Sequence, residues 1–214
     1  MLEDAPFGAS DPGASRSSDA FGRSAAAPYD RPVAAPRLVA LDLPAGPDFV
    51  DELRRTWDRG DAALPIDQRL PRAMRDELTT RLGVGDEVEP GDALVVATSG
   101  STGAPKGVVL THDALEAHAE AVHARLAVDR SHDRWTACLP LAHVGGLGVV
   151  VRAIKDDVPL QVLPGYDDGA VDGTLISLLL TVVDRIPPAR AERFRWLVLG
   201  GSGNIDADVV HGGR

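Results

Sequence analysis

Short apolar runs alternate along this chain with longer amphipathic stretches. The clearest run, Ala93-Leu-Val-Val-Ala-Thr98, carries no charge and has no polar face, which is typical of a strand buried on both sides. The stretch that begins at Thr111 instead repeats its apolar residues at the spacing of a helix face. Such alternation indicates an α/β fold, with layered sheets flanked by helices. It constrains the architecture more than any other feature of the sequence.

The same periodicities predict the order of the elements. Predicted strands lie at residues 38–43, 62–66, 93–98, 108–110, 134–139, 160–163 and 195–199. Predicted helices lie at residues 47–59, 71–82, 111–126, 149–154 and 173–185. Thr111 is expected to cap the third helix. The apolar face of the second helix is expected to contain Ala73, Met74, Leu78 and Leu82.

The first part of the chain has a different composition. Residues 1–36 are rich in Ala, Ser, Gly, Pro and Asp and contain only scattered apolar residues. Such a segment cannot bury enough apolar surface to offset the entropy of ordering. We therefore expect a disordered extension at 1–36 and a folded part that begins at residue 37.

Composition excludes several classes of protein. The formal net charge of −10 argues against a general nucleic-acid binder, because no basic field would neutralise phosphates. A single cysteine, Cys138, excludes an internal disulfide and a cysteine-based zinc site. No apolar run approaches the ~20 residues of a membrane helix, and the first residues lack a secretory-signal pattern. We therefore expect a cytoplasmic protein without nucleic-acid or membrane partners, and the oligomeric state stays open.

A loop rich in Gly, Ser and Thr follows the buried strand directly, as Thr98-Ser-Gly-Ser-Thr-Gly-Ala-Pro-Lys-Gly107. Its glycines allow close backbone approach, its backbone N–H groups can form an anion-binding concavity, and Lys106 adds a positive charge. This combination suits a polyphosphate. The loop is not a Walker loop, since Pro105 precedes the lysine and Gly107 follows it, and it contains no G-x-G-x-x-G fingerprint. On composition alone, a solvent-exposed turn explains it equally well.

The complete loop through Val108 resembles the signature loop of the adenylate-forming superfamily, which comprises acyl- and aryl-CoA synthetases, nonribosomal-peptide adenylation domains and luciferases. In that family the loop holds the β- and γ-phosphates of ATP while a carboxylate attacks. The resemblance implies a catalytic role for Lys106 in neutralising these phosphates. It also implies that ATP is bound by Thr98, Ser99, Gly100, Ser101, Thr102, Gly103 and Lys106.

Three further segments carry the resemblance. Leu139-Pro-Leu-Ala-His-Val-Gly-Gly-Leu147 is similar to the family's small apolar segment with a histidine before a helix. It implies that His143 lies near the reacting carboxylate and the α-phosphate, as a gating or polar-contact residue. Residues 176–183 and 196–201 resemble, with departures at Leu180 and Val182, segments that line the acyl and adenine pockets. They add four expected substrate contacts, namely Ser177, Thr181, Gly200 and Gly201.

Within the family, residues 62–71, residues 91–98 and the His-Val-Gly-Gly-Leu stretch look like compact o-succinylbenzoate–CoA ligases of menaquinone synthesis. The resemblance implies a small carboxylic acid substrate together with ATP, Mg²⁺ and CoA. It covers about residues 37–210, and the family's later adenine, ribose, hinge and catalytic-lysine segments do not occur before Arg214. We therefore expect residues 37–214 to be a partial AMP-binding domain that is inactive alone.

Other interpretations remain open. The chain could be a degenerate nucleotide-binding module without catalysis, or the product of an incomplete or frameshifted gene. Gly200-Gly-Ser-Gly-Asn204 also suggests a serine hydrolase with Ser202 as nucleophile, but Asn204 stands where the motif requires glycine. Asp206, Asp208 and His211 follow too closely to form the usual separated triad.

The histidines and acidic pairs do not suggest a metal site. The six histidines include no H-x-x-x-H pair. Those on the third predicted helix, His112, His118 and His123, are expected to lie on a solvated face. The pairs Asp156-Asp157 and Asp167-Asp168 are expected to be solvated turns.

Overall fold

The computed structural model describes residues 35–99, 104–167, 169–178 and 196–199. Its strands are β1 Leu38–Leu41, β2 Ala62–Pro65, β3 Asp92–Ser99, β4 Pro105–Thr111, β5 Trp135–Ala137, β6 Leu160–Val162, β7 Leu175–Leu178 and β8 Trp196–Leu199. Its helices are α1 Pro47–Asp58, α2 Arg72–Arg81, α3 His112–Leu126 and α4 Val144–Lys155. The predicted extension at 1–36 lies almost wholly outside the described residues, so it stays a prediction.

The strands form two sheets. In the first sheet, with the order β1-β2-β3-β4, the first three strands are parallel and β4 is antiparallel to β3. In the second sheet, with the order β6-β5-β7-β8, all pairings are parallel. Helices α1, α3 and α4 contribute buried side chains to one core together with strands of both sheets. This arrangement confirms the layered α/β fold. None of the helices in the described part is long and apolar enough to cross a membrane.

A capping hydrogen bond supports the first turn of α3, and a close backbone contact at a glycine shapes the first turn of α4. The Thr111 hydroxyl oxygen accepts the backbone N–H of Ala114 at 3.2 Å, so the predicted cap is confirmed. Helix α4 begins at Val144, earlier than predicted, directly after His143. Its first turn fits against the preceding loop because Gly146 has no Cβ, which would lie 2.4 Å from the carbonyl oxygen of Leu139.

The helix predicted at 173–185 is wrong at its start. Residues Leu175–Leu178 instead form β7, which pairs with β5 and with β8. Leu175 and Ile176 are both fully buried. A continuous apolar run of this length fits a strand covered on both faces as well as a buried helix. Residues 179–185 lie outside the described residues.

Helix α2 buries less than its sequence predicts. Of its predicted apolar face, Leu78 is buried and Leu82 is half-buried, but Ala73 and Met74 are exposed. The exposed fraction of Met74 is 52%. This side chain contributes to the wall of a cavity rather than to the core.

A polar network joins α3 to α4, so the predicted solvated face is wrong for His123, which is buried, and for the half-buried His112, but right for the exposed His118. His123 is buried, and its Nε2 accepts the indole N–H of Trp135 at 2.9 Å while its Nδ1 contacts a carboxylate oxygen of Asp156. Arg152 donates to Nε2 of His118 and lies over the Trp135 ring, 4.7 Å from its centroid.

Lys155 and Asp156 add further polar contacts to the interface between α3 and α4. Lys155 donates to Nδ1 of His112 at 3.1 Å. The side chain of Asp156 is only 16% exposed and also pairs with Arg130, so the solvated turn predicted there is wrong for this residue. Asp157 and Asp167 are exposed, as predicted, and Asp168 lies outside the described residues.

We expect acid to weaken this interface. Partial desolvation lowers the pKa of both the His112 and His118 imidazoles below its ordinary value, and the nearby Lys155 and Arg152 lower it further. Below about pH 6.5 the unfolded chain therefore binds more protons than the native protein, so the free energy of unfolding should fall as the pH falls. Urea unfolding between about pH 7.5 and 5.5 measures the effect. The double variant His112→Gln/His118→Gln should show a flatter profile, and an unchanged slope would contradict this origin.

Candidate functional site

The β3–β4 hairpin carries the glycine-rich loop. Thr98 lies opposite Lys106 in the register, and Ser99 lies opposite Pro105. The Thr98 hydroxyl donates to the backbone oxygen of Lys106 at 3.3 Å, while the side chains of Thr98 and Lys106 stay exposed. The structure thus describes the base of the loop. Four loop residues predicted to bind phosphate lie outside the described residues, namely Gly100, Ser101, Thr102 and Gly103. Their role stays a prediction.

His143 contacts two residues of the segment that follows β2. Its Nε2 lies 2.9 Å from Nη2 of Arg69 and 3.4 Å from Oδ2 of Asp67. Arg69 and Asp67 also form an ion pair of 2.7 Å. Neither residue was predicted as part of a site. The available signal is an Asp-x-Arg sequence directly after a buried parallel strand, because the carboxyl ends of such strands commonly border ligand sites.

The contact between Asp67 and Arg69 determines the charge of both side chains. Hydrogen bonds from Arg69 lower the pKa of the Asp67 carboxyl to about 2. The Asp67 side chain is only 15% exposed. The same contact raises the pKa of Arg69 above its usual value. Asp67 and Arg69 are therefore both charged at neutral pH.

A cavity of about 370 Å³ lies between α2, the base of the loop and the segment before α4. This volume is in the range of small-molecule sites. Its apolar wall comprises Pro65, Leu70, Met74, Leu78, Ala97, Pro105 and Ala142. Its polar wall comprises Asp67, Glu77, Thr98 and His143. Two residues predicted from separate motifs, Thr98 and His143, thus border one cavity.

Among the described residues, no other predicted site residue lines this cavity. Ser177 lies in β7 of the second sheet, and its role stays a prediction. Thr181, Gly200 and Gly201 lie outside the described residues, as does Ser202 of the hydrolase interpretation.

Metal binding and nucleophilic catalysis by cysteine find little support in the described part of the chain. There, no group of three or more His, Cys, Asp or Glu side chains could hold a metal ion. Cys138 is buried, and burial raises the pKa of its thiol to about 11. The thiol therefore stays protonated at neutral pH and is a poor nucleophile.

Comparison with known proteins decides the family. The model of the AMP-binding enzyme family matches residues 45–170. The chain belongs to the AMP-binding enzyme family. A probable 2-succinylbenzoate–CoA ligase of Mycobacterium tuberculosis is 40% identical over 134 residues, which are 60% of this chain and 33% of that protein. The 2-succinylbenzoate–CoA ligase of Bacillus anthracis is 33% identical over 119 residues, which are 50% of this chain and 24% of that protein.

Solved structures of other proteins share the fold. The o-succinylbenzoate CoA synthetase MenE from Bacillus subtilis, solved in complex with AMP, gives a TM-score of 0.61 at 20% identity and covers 79% of this chain and 56% of that chain. MatB from Rhodopseudomonas palustris gives a TM-score of 0.62 at 16% identity, with coverage of 78% and 45%. At these identities the likeness shows the fold alone. The chain spans a third or less of the curated relatives named above.

Proposed function

We propose that this chain supplies the phosphate-binding loop and part of the acid pocket of an ATP-dependent acid–thiol ligase, with 2-succinylbenzoate as the acid. The cavity that borders both Thr98 and His143 is the observation that carries the proposal. The names of the curated relatives support the choice of acid. Such an enzyme would act in the cytoplasm, in menaquinone synthesis.

The proposed reaction has two steps. In the first, the carboxylate attacks the α-phosphorus of ATP, a new oxygen–phosphorus bond forms, and pyrophosphate leaves. In the second, the CoA thiol attacks the acyl carbon of the adenylate, its proton is lost, and AMP leaves. The first step gathers several negative charges in one place, so preorganised donors and cations give most of the stabilisation.

The residues of this chain would serve the first step. Backbone N–H groups of the loop, the hydroxyls beside Thr98 and the charge of Lys106 would hold the β- and γ-phosphates. His143 would contact the carboxylate at the other side of the cavity. Mg²⁺ would offset phosphate charge and would be held in part by the phosphate oxygens of ATP.

Removing the charge of Lys106 is expected to weaken ATP binding. A hydrogen bond to a charged group contributes about 1.5–3 kcal/mol, so Lys106→Gln should raise the Kd for ATP about 10- to 100-fold. Calorimetric titration of the full chain with ATP and Mg²⁺ measures the change. Arg125→Gln is a matched control, because Arg125 is also exposed but lies on α3, and its affinity should equal that of the wild type. The absence of binding by the wild type, or equal affinities of Lys106→Gln and the wild type, would contradict the proposal.

A further inference from the structure

The cluster of Asp67, Arg69 and His143 has a fixed internal geometry. The Asp67 carboxylate accepts Nε–H of Arg69 at 2.9 Å and Nη2–H at 2.7 Å, so the guanidinium is held by both oxygens. The backbone N–H of Arg69 donates to the same carboxylate at 3.0 Å. Such a two-point contact restrains the planar guanidinium more than a single bond would. Its Nη2 is thereby held 2.9 Å from Nε2 of His143.

This contact determines which nitrogen of His143 carries the hydrogen. A guanidinium has only donors, and Nη2 of Arg69 lies closer to Nε2 of the ring, at 2.9 Å, than Oδ2 of Asp67 does, at 3.4 Å, so the geometry favours Nε2 as the acceptor. A neutral imidazole that accepts at Nε2 carries its hydrogen on Nδ1. Among the described residues, Nδ1 of His143 has no hydrogen-bond partner, and the side chain is 56% exposed at the edge of the cavity.

We propose that Asp67 and Arg69 are positioning residues that hold neutral His143 in its Nδ1–H tautomer, so that its free nitrogen is a hydrogen-bond donor. A donor suits an anionic group such as a carboxylate, whereas a bare nitrogen acceptor at the same place would repel it. Asp67 acts through Arg69, because its carboxylate orients the guanidinium. The use of this donor toward the acid rests on the proposed function, but the tautomer itself does not.

Nitrogen NMR of the full chain tests the tautomer without any ligand. Histidine is labelled with ¹⁵N, long-range spectra are recorded at about pH 8, where ordinary imidazoles are neutral, and His143→Gln identifies the signals. We expect the wild type to show a protonated Nδ1 and an unprotonated Nε2. In Arg69→Met, which keeps the length of the side chain and removes the donor, the tautomer ratio should move at least about fivefold toward Nε2–H.

Three further variants separate positioning from a general structural role. Arg69→Lys keeps a donor and should retain most of the Nδ1–H population. Asp67→Asn should shift the ratio in the same direction as Arg69→Met, because the guanidinium loses its anchor. Arg72→Met is the matched control, since the Arg72 side chain is 88% exposed and should leave the spectrum of His143 unchanged.

Two results would overturn the proposal. One is a wild-type ring with its hydrogen on Nε2, and the other is an unchanged ratio in Arg69→Met while the remaining histidine signals show a folded chain. A chain that fails to bind ATP but shows the expected tautomer would contradict the proposed function alone. The two failures are therefore distinguishable.

Discussion

Gly146→Ala is expected to lower the free energy of unfolding by about 2 kcal/mol or more. A Cβ at this position would lie 2.4 Å from the Leu139 carbonyl oxygen and 2.6 Å from that of Pro140. Both are backbone atoms that cannot rotate away, so the loop before α4 must move, at a cost of about 3 kcal/mol. The higher helix propensity of alanine returns at most about 1 kcal/mol. Urea unfolding followed by circular dichroism measures the difference.

A second glycine of the same helix is the control. A Cβ on Gly148 would lie 3.3 Å from Nη1 of Arg152, a side-chain atom that would need to move by only a few tenths of an ångström. We expect Gly148→Ala to leave stability unchanged or raise it by up to about 1 kcal/mol. Equal destabilisation by both substitutions would show that the carbonyl clash at Gly146 is not the cause. Because Gly146 follows His143 by one helical turn, its substitution should also displace the edge of the cavity.

Trp135→Ala should cost about 4 kcal/mol of unfolding free energy. Trp135 is fully buried at the centre of the second sheet, and removing it leaves a large void in the core. The loss also strips His123 of its donor and Arg152 of the ring beneath its guanidinium. Such a loss can unfold a chain of marginal stability. The milder substitution Trp135→Phe therefore isolates the contribution of the hydrogen bond from Trp135 to His123. It keeps most of the apolar surface and leaves Nε2 of His123 buried without a donor, which costs about 1–3 kcal/mol.

Trp57, which lies at the edge of the core, serves as the comparison for Trp135. Trp57 also donates its indole N–H, to the carbonyl oxygen of Ala93 at 2.9 Å, but it is only half-buried. Water can replace a lost donor more readily there, so Trp57→Phe should cost less than Trp135→Phe in the same urea series. If the two substitutions cost the same, the buried contact between Trp135 and His123 does not add to stability.

Local signals were sufficient for much of the fold. The apolar run of β3 and the cap at Thr111 depend on neighbouring residues, and both were predicted correctly. The strand β7 was missed because its apolar sequence is compatible with two conformations, and pairing with β5 and β8 decides between them. That pairing joins distant parts of the chain and leaves no local pattern.

Prediction of the site from the sequence was limited in the same way, because contacts between distant residues leave no local pattern. The loop and His143 carry motif resemblance, so the sequence singled them out, although their roles stay predictions. Arg69 was missed because its contact with His143 joins residues 74 positions apart. His123 was placed on a solvated face for the same reason, since its acidic partner, Asp156, lies 33 positions away, directly after α4. Polar pairs of this kind become visible only when packing brings their elements together.

The β3–β4 hairpin has a consequence for the order of folding. In the described part, it is the one pairing of strands joined by a short connection, whereas the parallel pairings require long crossovers. Hairpins form in about 1–10 μs, and pairings between distant residues are slower because closing a long loop costs entropy first. We therefore expect a newly made chain to close the hairpin around its glycine-rich loop before the sheet that supports it is complete.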